Sequence, residues 1–346
     1  MTLLRVFLVT AAMAAALVPM PAAWVERWYS RGLYIALQNH VTTATNLTSF
    51  ALLDIASLVA VGALGIALWR RSRRAGIARA SLATLLTIVT LAAAVYLAFL
   101  AMWGLNYRRV PLDARLEFDR ARITREAAKQ LGELAVGHVN TLYDRRESID
   151  EAAELRQAFA RAQSRLGQER AAVPGVPKKS LLGFYFRRAA IDGMTDPLFL
   201  EIIVNPDVLA MERPFVVAHE WAHLAGYAAE DEANFVAWLT CADGAPPALG
   251  YSGWLVMYEH VASVLGRSER QALASMLKDG PREDLRAMAA RYETSTPVVR
   301  NAARDVYDGY LRANRVREGI ASYTGVVRLL LGAGVAEGRT PRVISR

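Results

Sequence analysis

Two histidines four residues apart with a glutamate between them, HEWAH at 219–223, carry the strongest chemical signal in the chain. On a helix, residues at i and i+4 share a face, so His219 and His223 would present both imidazoles to one point, as two ligands of a single zinc ion require. Glu220 would then stand beside the ion without binding it. A carboxylate there can take a proton from an activated water and pass it to a leaving amine. This is the pattern of metal-assisted peptide hydrolysis, with Glu220 as general base. A third protein ligand is still needed, and EDEAN at 230–234 offers carboxylates. Helix-face spacing favours Glu230 and puts Asn234 on the same face, able to orient a ligand histidine by a hydrogen bond; Glu232, Asp231 or a distant residue remain as alternatives.

The elements that must hold these groups are legible around them. Pro214 suits a helix first turn, Phe215, Val216, Val217, Trp221 and Leu224 give that helix an apolar face, and Gly226 can stop it. EDEANFVAWLTCA then reads as a second helix, whose acidic first turn also complements the helix dipole. An oxyanion forming beside zinc needs a donor. Tyr307, Tyr310 and Tyr323 are the candidates, and Tyr310 is carried forward as the catalytic one; packing is the plainer role for any tyrosine at helical spacing. His260 is a reserve ligand, and His138 reads as a surface or packed histidine. Just upstream, PLFLEIIVN at 197–205 is rich in strand formers, either as a core strand or as an edge that could hold an extended peptide.

Elsewhere the outer sequence predicts helices. Thr124, Ser148–Glu151 and Ser268–Gln271 are start signals, and Pro281 and Pro297 fall in first turns. AVPGVPKKS at 172–180 reads as a linker, and the tail from Gly332 as frayed.

The first hundred residues are of another kind. Residues 50–69 and 80–104 are apolar runs long enough to cross about 30 Å of hydrocarbon, with Trp69, Trp103 and Tyr107 as interfacial aromatics. Residues 3–24 read as a signal peptide or a signal anchor, with Pro19 and Pro21 disturbing the end of any helix there. Asp54 is expected to cap or snorkel. Of the 41 Lys and Arg residues behind the net charge of +8, five arginines sit in RRSRRAGIAR at 70–79, between the two spans. That placement marks a cytoplasmic loop and not a nucleic-acid surface, so residues 1–106 are expected to be a membrane region and residues 107–346 an extracytoplasmic, mainly α domain with one or two short strands. The lone Cys241 is read as a small buried side chain.

HEWAH followed by EDEAN resembles the gluzincin pattern, in which a glutamate from a second helix completes the site; the resemblance implies His219, His223 and Glu230 as zinc ligands and Glu220 as base. The chain departs from it in carrying Asn234 where Asp is usual and in having only six residues between His223 and Glu230. Over nearly the whole length, WGLNYRR, PFVVAHEWAHLAGYAAEDEANF, YDGYLRANR and GIASYTGVVRLL resemble the bacterial family labelled domain of unknown function 3810. That resemblance implies a membrane-tethered, zincin-like protein of the bacterial cell membrane and names no substrate. Two functions follow as expectations: a membrane-anchored zinc peptidase acting on a peptide or protein, or an inactive binding or scaffold protein stabilised by the same metal.

Overall fold

The computed structural model describes residues 2–75, 77–147, 149–316 and 325–344. It is mainly helical with three short strands. Thr2–Leu17 is a helix of 16 residues, about 24 Å at 1.5 Å per residue and so shorter than the hydrocarbon core. It stops before Pro19 and Pro21, earlier than the expected end at residue 24, because neither proline can continue the backbone ladder. After a bend of 108° a second helical rod runs over Ala22–Thr45, π-helical across Val25–Leu33. Two apolar helices long enough to span a membrane follow, Leu52–Arg74 and Ile77–Met102.

The rod falls within the stretch assigned to the membrane region, yet it is part of the core. Val25, Tyr29, Tyr34 and Ile35 belong to one hydrophobic cluster with Trp103, Trp221, Phe235, Trp254 and Val335. A boundary at residue 106 therefore separates the spans from the outer domain but leaves out the rod, which shares that domain's interior. Trp103 and Tyr107 are likewise displaced from the aromatic belt expected of them. Trp103 is 5% exposed, and Tyr107 packs edge-on against it with ring centroids 5.3 Å apart. Trp69 stays exposed near the arginine loop.

The outer helices begin largely as their sequence signals predict. The Thr124 side chain accepts from Ala127 N at 3.1 Å and starts Arg125–Tyr143. Ser148 lies outside the described residues; the cap seen for Glu151–Arg165 is Asp150, which accepts from Ala153 N. Ser268 falls inside Arg267–Met276 and is not its cap, because the helix starts two residues earlier, where the Glu269 side chain accepts from Gly266 N at 2.9 Å. Pro281 and Pro297 sit in the first turns of Asp279–Glu293 and Pro297–Ala313.

The strands β1 (Pro177–Lys178), β2 (Gly193–Asp196) and β3 (Glu201–Val204) form one sheet in the order β1-β3-β2, with β1 parallel and β2 antiparallel to β3. Successive side chains alternate between faces. Ile202 and Val204 join the main core, while Ile203 packs with Ala51 and Phe186 at the start of the Leu52 span. This corrects the edge reading of 197–205: β3 is central, paired on both sides, and β1 and β2 are the outer strands. Residues 172–180 are no free linker either. Gln38 pairs with both the N–H and the carbonyl of Val173, and Trp221 Nε1 donates to Gly175 O at 2.7 Å. The tail beyond Gly332 is also tied down, by Glu117 N to Arg342 O and Ile344 N to Arg115 O. Asp54 neither caps its own helix nor snorkels to water: it accepts from Ser180 Oγ and Leu181 N at 2.9 and 2.8 Å, tying the start of the span to the segment after β1.

Candidate metal centre

His219 and His223 lie on the helix Arg213–Leu224, and Glu230 begins the helix Glu230–Ala242. Between them the chain reverses in five residues. Gly226 makes this possible with φ +82, a conformation other residues adopt at a cost, and a Cβ there would meet Asn106 Oδ1 at 2.9 Å. The short link between His223 and Glu230 is thus a tight turn that lays the two helices side by side.

Their side chains converge. His219 Nε2 and His223 Nε2 are 3.1 Å apart, and Glu230 Oε2 and Oε1 lie 3.3 Å and 3.7 Å from the two nitrogens. Ligand atoms about 2.0–2.1 Å from one tetrahedral ion stand roughly 3.3 Å from each other, so the spacing fits a single small cation. The rest of each ligand is already satisfied. His223 Nδ1 donates to Tyr227 O at 2.8 Å and His219 Nδ1 to Asn234 Oδ1 at 2.9 Å, which turns both Nε2 atoms toward Glu230. Tyr307 donates its hydroxyl to Glu230 Oε1. Glu230 Oε2, by contrast, is buried without a hydrogen-bond partner. An unsatisfied carboxylate oxygen facing two imidazole nitrogens is a donor set that a cation would satisfy. Among the described residues these three form the one group of at least three His, Cys, Asp or Glu side chains close enough to hold a metal.

The alternatives for the third ligand turn elsewhere. Glu232 Oε1 accepts from Leu112 N at 2.6 Å, and Asp231 folds back on Glu232 N at 2.9 Å and faces Arg328. Burial works against a charge on either His223 or Glu230, yet their mutual attraction wins: His223 is pushed up to about 9 and the Glu230 carboxyl well below its usual range. His260 is not in the cluster. Burial and the nearby His219 push it down to about 4, which keeps it neutral. His138 stacks on Trp254 at 4.4 Å, a packing role, and His40 is exposed on the rod.

Glu220 is buried next to the ligands but belongs to none of their contacts. Thr195 of β2 donates its hydroxyl to Glu220 Oε2 at 2.8 Å, and a Cβ on Gly193 would come within 2.5 Å of Glu220 Oε1. Burial raises the pKa of Glu220, opposed by the two histidines and by Thr195. Spacing in sequence gave no sign of Thr195, 25 residues upstream; only strand pairing brings it here. Tyr310 stacks on Tyr307 at 5.8 Å and packs edge-on against Phe99 and Tyr107, so Tyr307 is the tyrosine in contact with a ligand. Tyr323 lies outside the described residues.

The turn that carries Tyr227 O is gripped from the membrane side. Trp103 Nε1 donates to His223 O at 2.8 Å, Tyr34 Oη to Leu224 O at 2.7 Å, and Arg109 Nη1 to Gly226 O at 2.8 Å. Arg109 is itself held by Glu26, 2.8 Å away and almost wholly buried. The family profile described as protein of unknown function (DUF3810) matches residues 29–331, which begins inside the rod and includes Tyr34, Trp103, Arg109 and the turn they hold, but not Glu26. The chain belongs to the DUF3810 family. No curated protein and no solved structure matches it. For this DUF3810 protein the candidate site therefore stands on its own geometry.

Proposed function

We propose that this DUF3810 protein is a membrane-anchored, zinc-dependent peptidase, with His219, His223 and Glu230 as ligands and Glu220 as general base. The observation that carries the reading is Glu220. A site built only to brace the fold needs no second carboxylate outside the ligand set, yet here one is buried, held by Thr195 and given room by Gly193. Zinc bound by the triad would polarise a scissile carbonyl and acidify an attacking water. Glu220 would accept the proton of that water on the oxygen not occupied by Thr195 and deliver it to the departing amine nitrogen. Asn234 and Tyr227 O would accept from the two Nδ1–H groups and so aim both Nε2 atoms at the ion, and Tyr307 would keep Glu230 oriented. The outer strand β2 runs beside Glu220, so an extended peptide adding to its free edge would pass the base.

The arginines of 70–79 lie at the far end of both spans from this site, and positively charged loops stay in the cytoplasm. The site accordingly belongs on the extracytoplasmic face of a bacterial cell membrane. Glu220→Gln is the test. Full-length protein in detergent should keep stoichiometric zinc while losing hydrolysis of a broad peptide library by about 10²–10⁴-fold. Equal inactivity of zinc-loaded wild type and variant would leave the scaffold reading standing instead, and equal activity would remove Glu220 as the base.

A further inference from the structure

Among the described residues, the rod's outer face is left uncovered. Its inner face, Val25, Tyr29 and Tyr34, is buried in the core, whereas Trp24, Trp28 and Leu33 are 49%, 57% and 65% exposed. The π-helical turn explains why these three align: i→i+5 bonding widens the turn, so residues four and five apart share a face. Arg27 lays its guanidinium 5.0 Å over the Trp28 ring. Scattered apolar side chains on a surface are ordinary, but this row is not scattered.

Its position says what it faces. Thr2–Leu17 packs along the Ile77–Met102 span, and its last carbonyls are tied to the outer end of that span by Arg108 Nη2 to Ala15 O at 2.7 Å. The rod leaves that helix at 108°. With the first helix along the bilayer normal, the rod runs nearly parallel to the membrane surface, starting four residues from the helix end. Tryptophan with a stacked arginine is the chemistry of the headgroup and upper acyl boundary, where the indole is half buried and the guanidinium reaches phosphate.

We infer that residues 22–33 form an interfacial helix whose Trp24, Trp28 and Leu33 are seated in the lipid headgroup boundary, with Arg27 toward the phosphates. The opposite face carries Tyr34 and Glu26, which hold the 223–227 turn directly and through Arg109. The cluster of His219, His223 and Glu230 then lies beyond the rod from the lipid, at least one helix diameter, about 10 Å, away. This inference depends on the spans and not on zinc or on peptidase activity.

Nitroxide labels at W24C, W28C and L33C, in full-length protein with Cys241→Ala, would test it in vesicles of phosphatidylcholine and phosphatidylglycerol. Collision with oxygen should exceed collision with a water-soluble nickel chelate at all three sites, and the order should reverse at the exposed E133C. Labels at 24 and 28 as open to nickel as at 133 would overturn the inference. So would labels shielded from both reagents, since that means a protein surface or a second copy covers the row. Should a cysteine variant fail to fold, brominated phosphatidylcholine gives the same reading from native tryptophan: W24F/W28F must lose part of the quenching seen in the wild type, and unchanged quenching would refute lipid contact.

Discussion

Glu220 differs from its neighbours in having an oxygen held by a strand and not by a helix partner. The 2.8 Å bond from Thr195 and the bare Cα of Gly193 set where the carboxylate rests. Gly193→Ala should therefore impair hydrolysis more than it impairs metal binding, because a Cβ 2.5 Å from Oε1 must displace the carboxylate, and the atoms it meets first all belong to Glu220 and none to a ligand. The check is zinc content by mass spectrometry beside kcat/KM. A loss of both in proportion would mean that the strand shift spreads to the ligands. Of this site, HEWAH, Glu230 and Asn234 were legible because helical spacing alone puts them on one face. Thr195, Gly193 and the Tyr307 contact were not, because each comes from an element 25 or more residues away, and no local period encodes a long-range contact.

At the scale of elements, the site is braced by parts of the chain that look like membrane anchor. Glu26 and Arg109 form a buried pair with side chains 10% and 3% exposed, and Arg109 in turn holds Gly226 O. Removing one partner of such a pair leaves a charge with no water to take its place. Glu26→Gln is expected to cost on the order of 3–5 kcal/mol in denaturant unfolding of the detergent-solubilised protein. It should weaken zinc binding through the 223–227 turn as well. The sheet has a different weakness. Glu201, fully buried, accepts from Leu53 N at the start of a span, but its other oxygen has no partner. Burial raises its pKa, and the nearby Asp196 adds to the rise while Lys178 opposes it. A carboxyl that binds its proton more tightly folded than unfolded costs nothing below the unfolded pKa and lowers stability as pH climbs through the folded one. Glu201→Gln should thus raise the Tm at pH 8, with the gain vanishing near pH 4; a gain that grows in acid would contradict this.

The whole molecule is more continuous than its hydropathy profile. One core runs from Val25 to Val335, so the outer part lacks its own floor when cut at residue 107. The fragment 107–346 loses Tyr34 and Trp103, which hold two of the carbonyls around His223, together with the buried Tyr29 and Ile35. It is expected to unfold without cooperativity and to bind zinc weakly, measured by calorimetry and metal titration against the full chain. A fragment that folds sharply and binds zinc as tightly as the full chain would show the rod to be dispensable.

What the sequence determined by itself was everything governed by a short period: two apolar spans, the helix starts at Thr124 and Pro297, a pair of histidines on one face and a glutamate after a glycine turn. Hydropathy could not separate an anchor from a floor, because Trp103 and Tyr107 at the end of a span look the same whether they meet lipid or a buried carbonyl. Nor could strand formers in 197–205 say which strand would be the edge, since pairing partners lie at 177–178 and 193–196. Only the tertiary structure decided those questions. Burying the polar turn at 223–227 requires donors to satisfy its carbonyls, and the nearest ones in space come from residues 34, 103 and 109, remote in sequence.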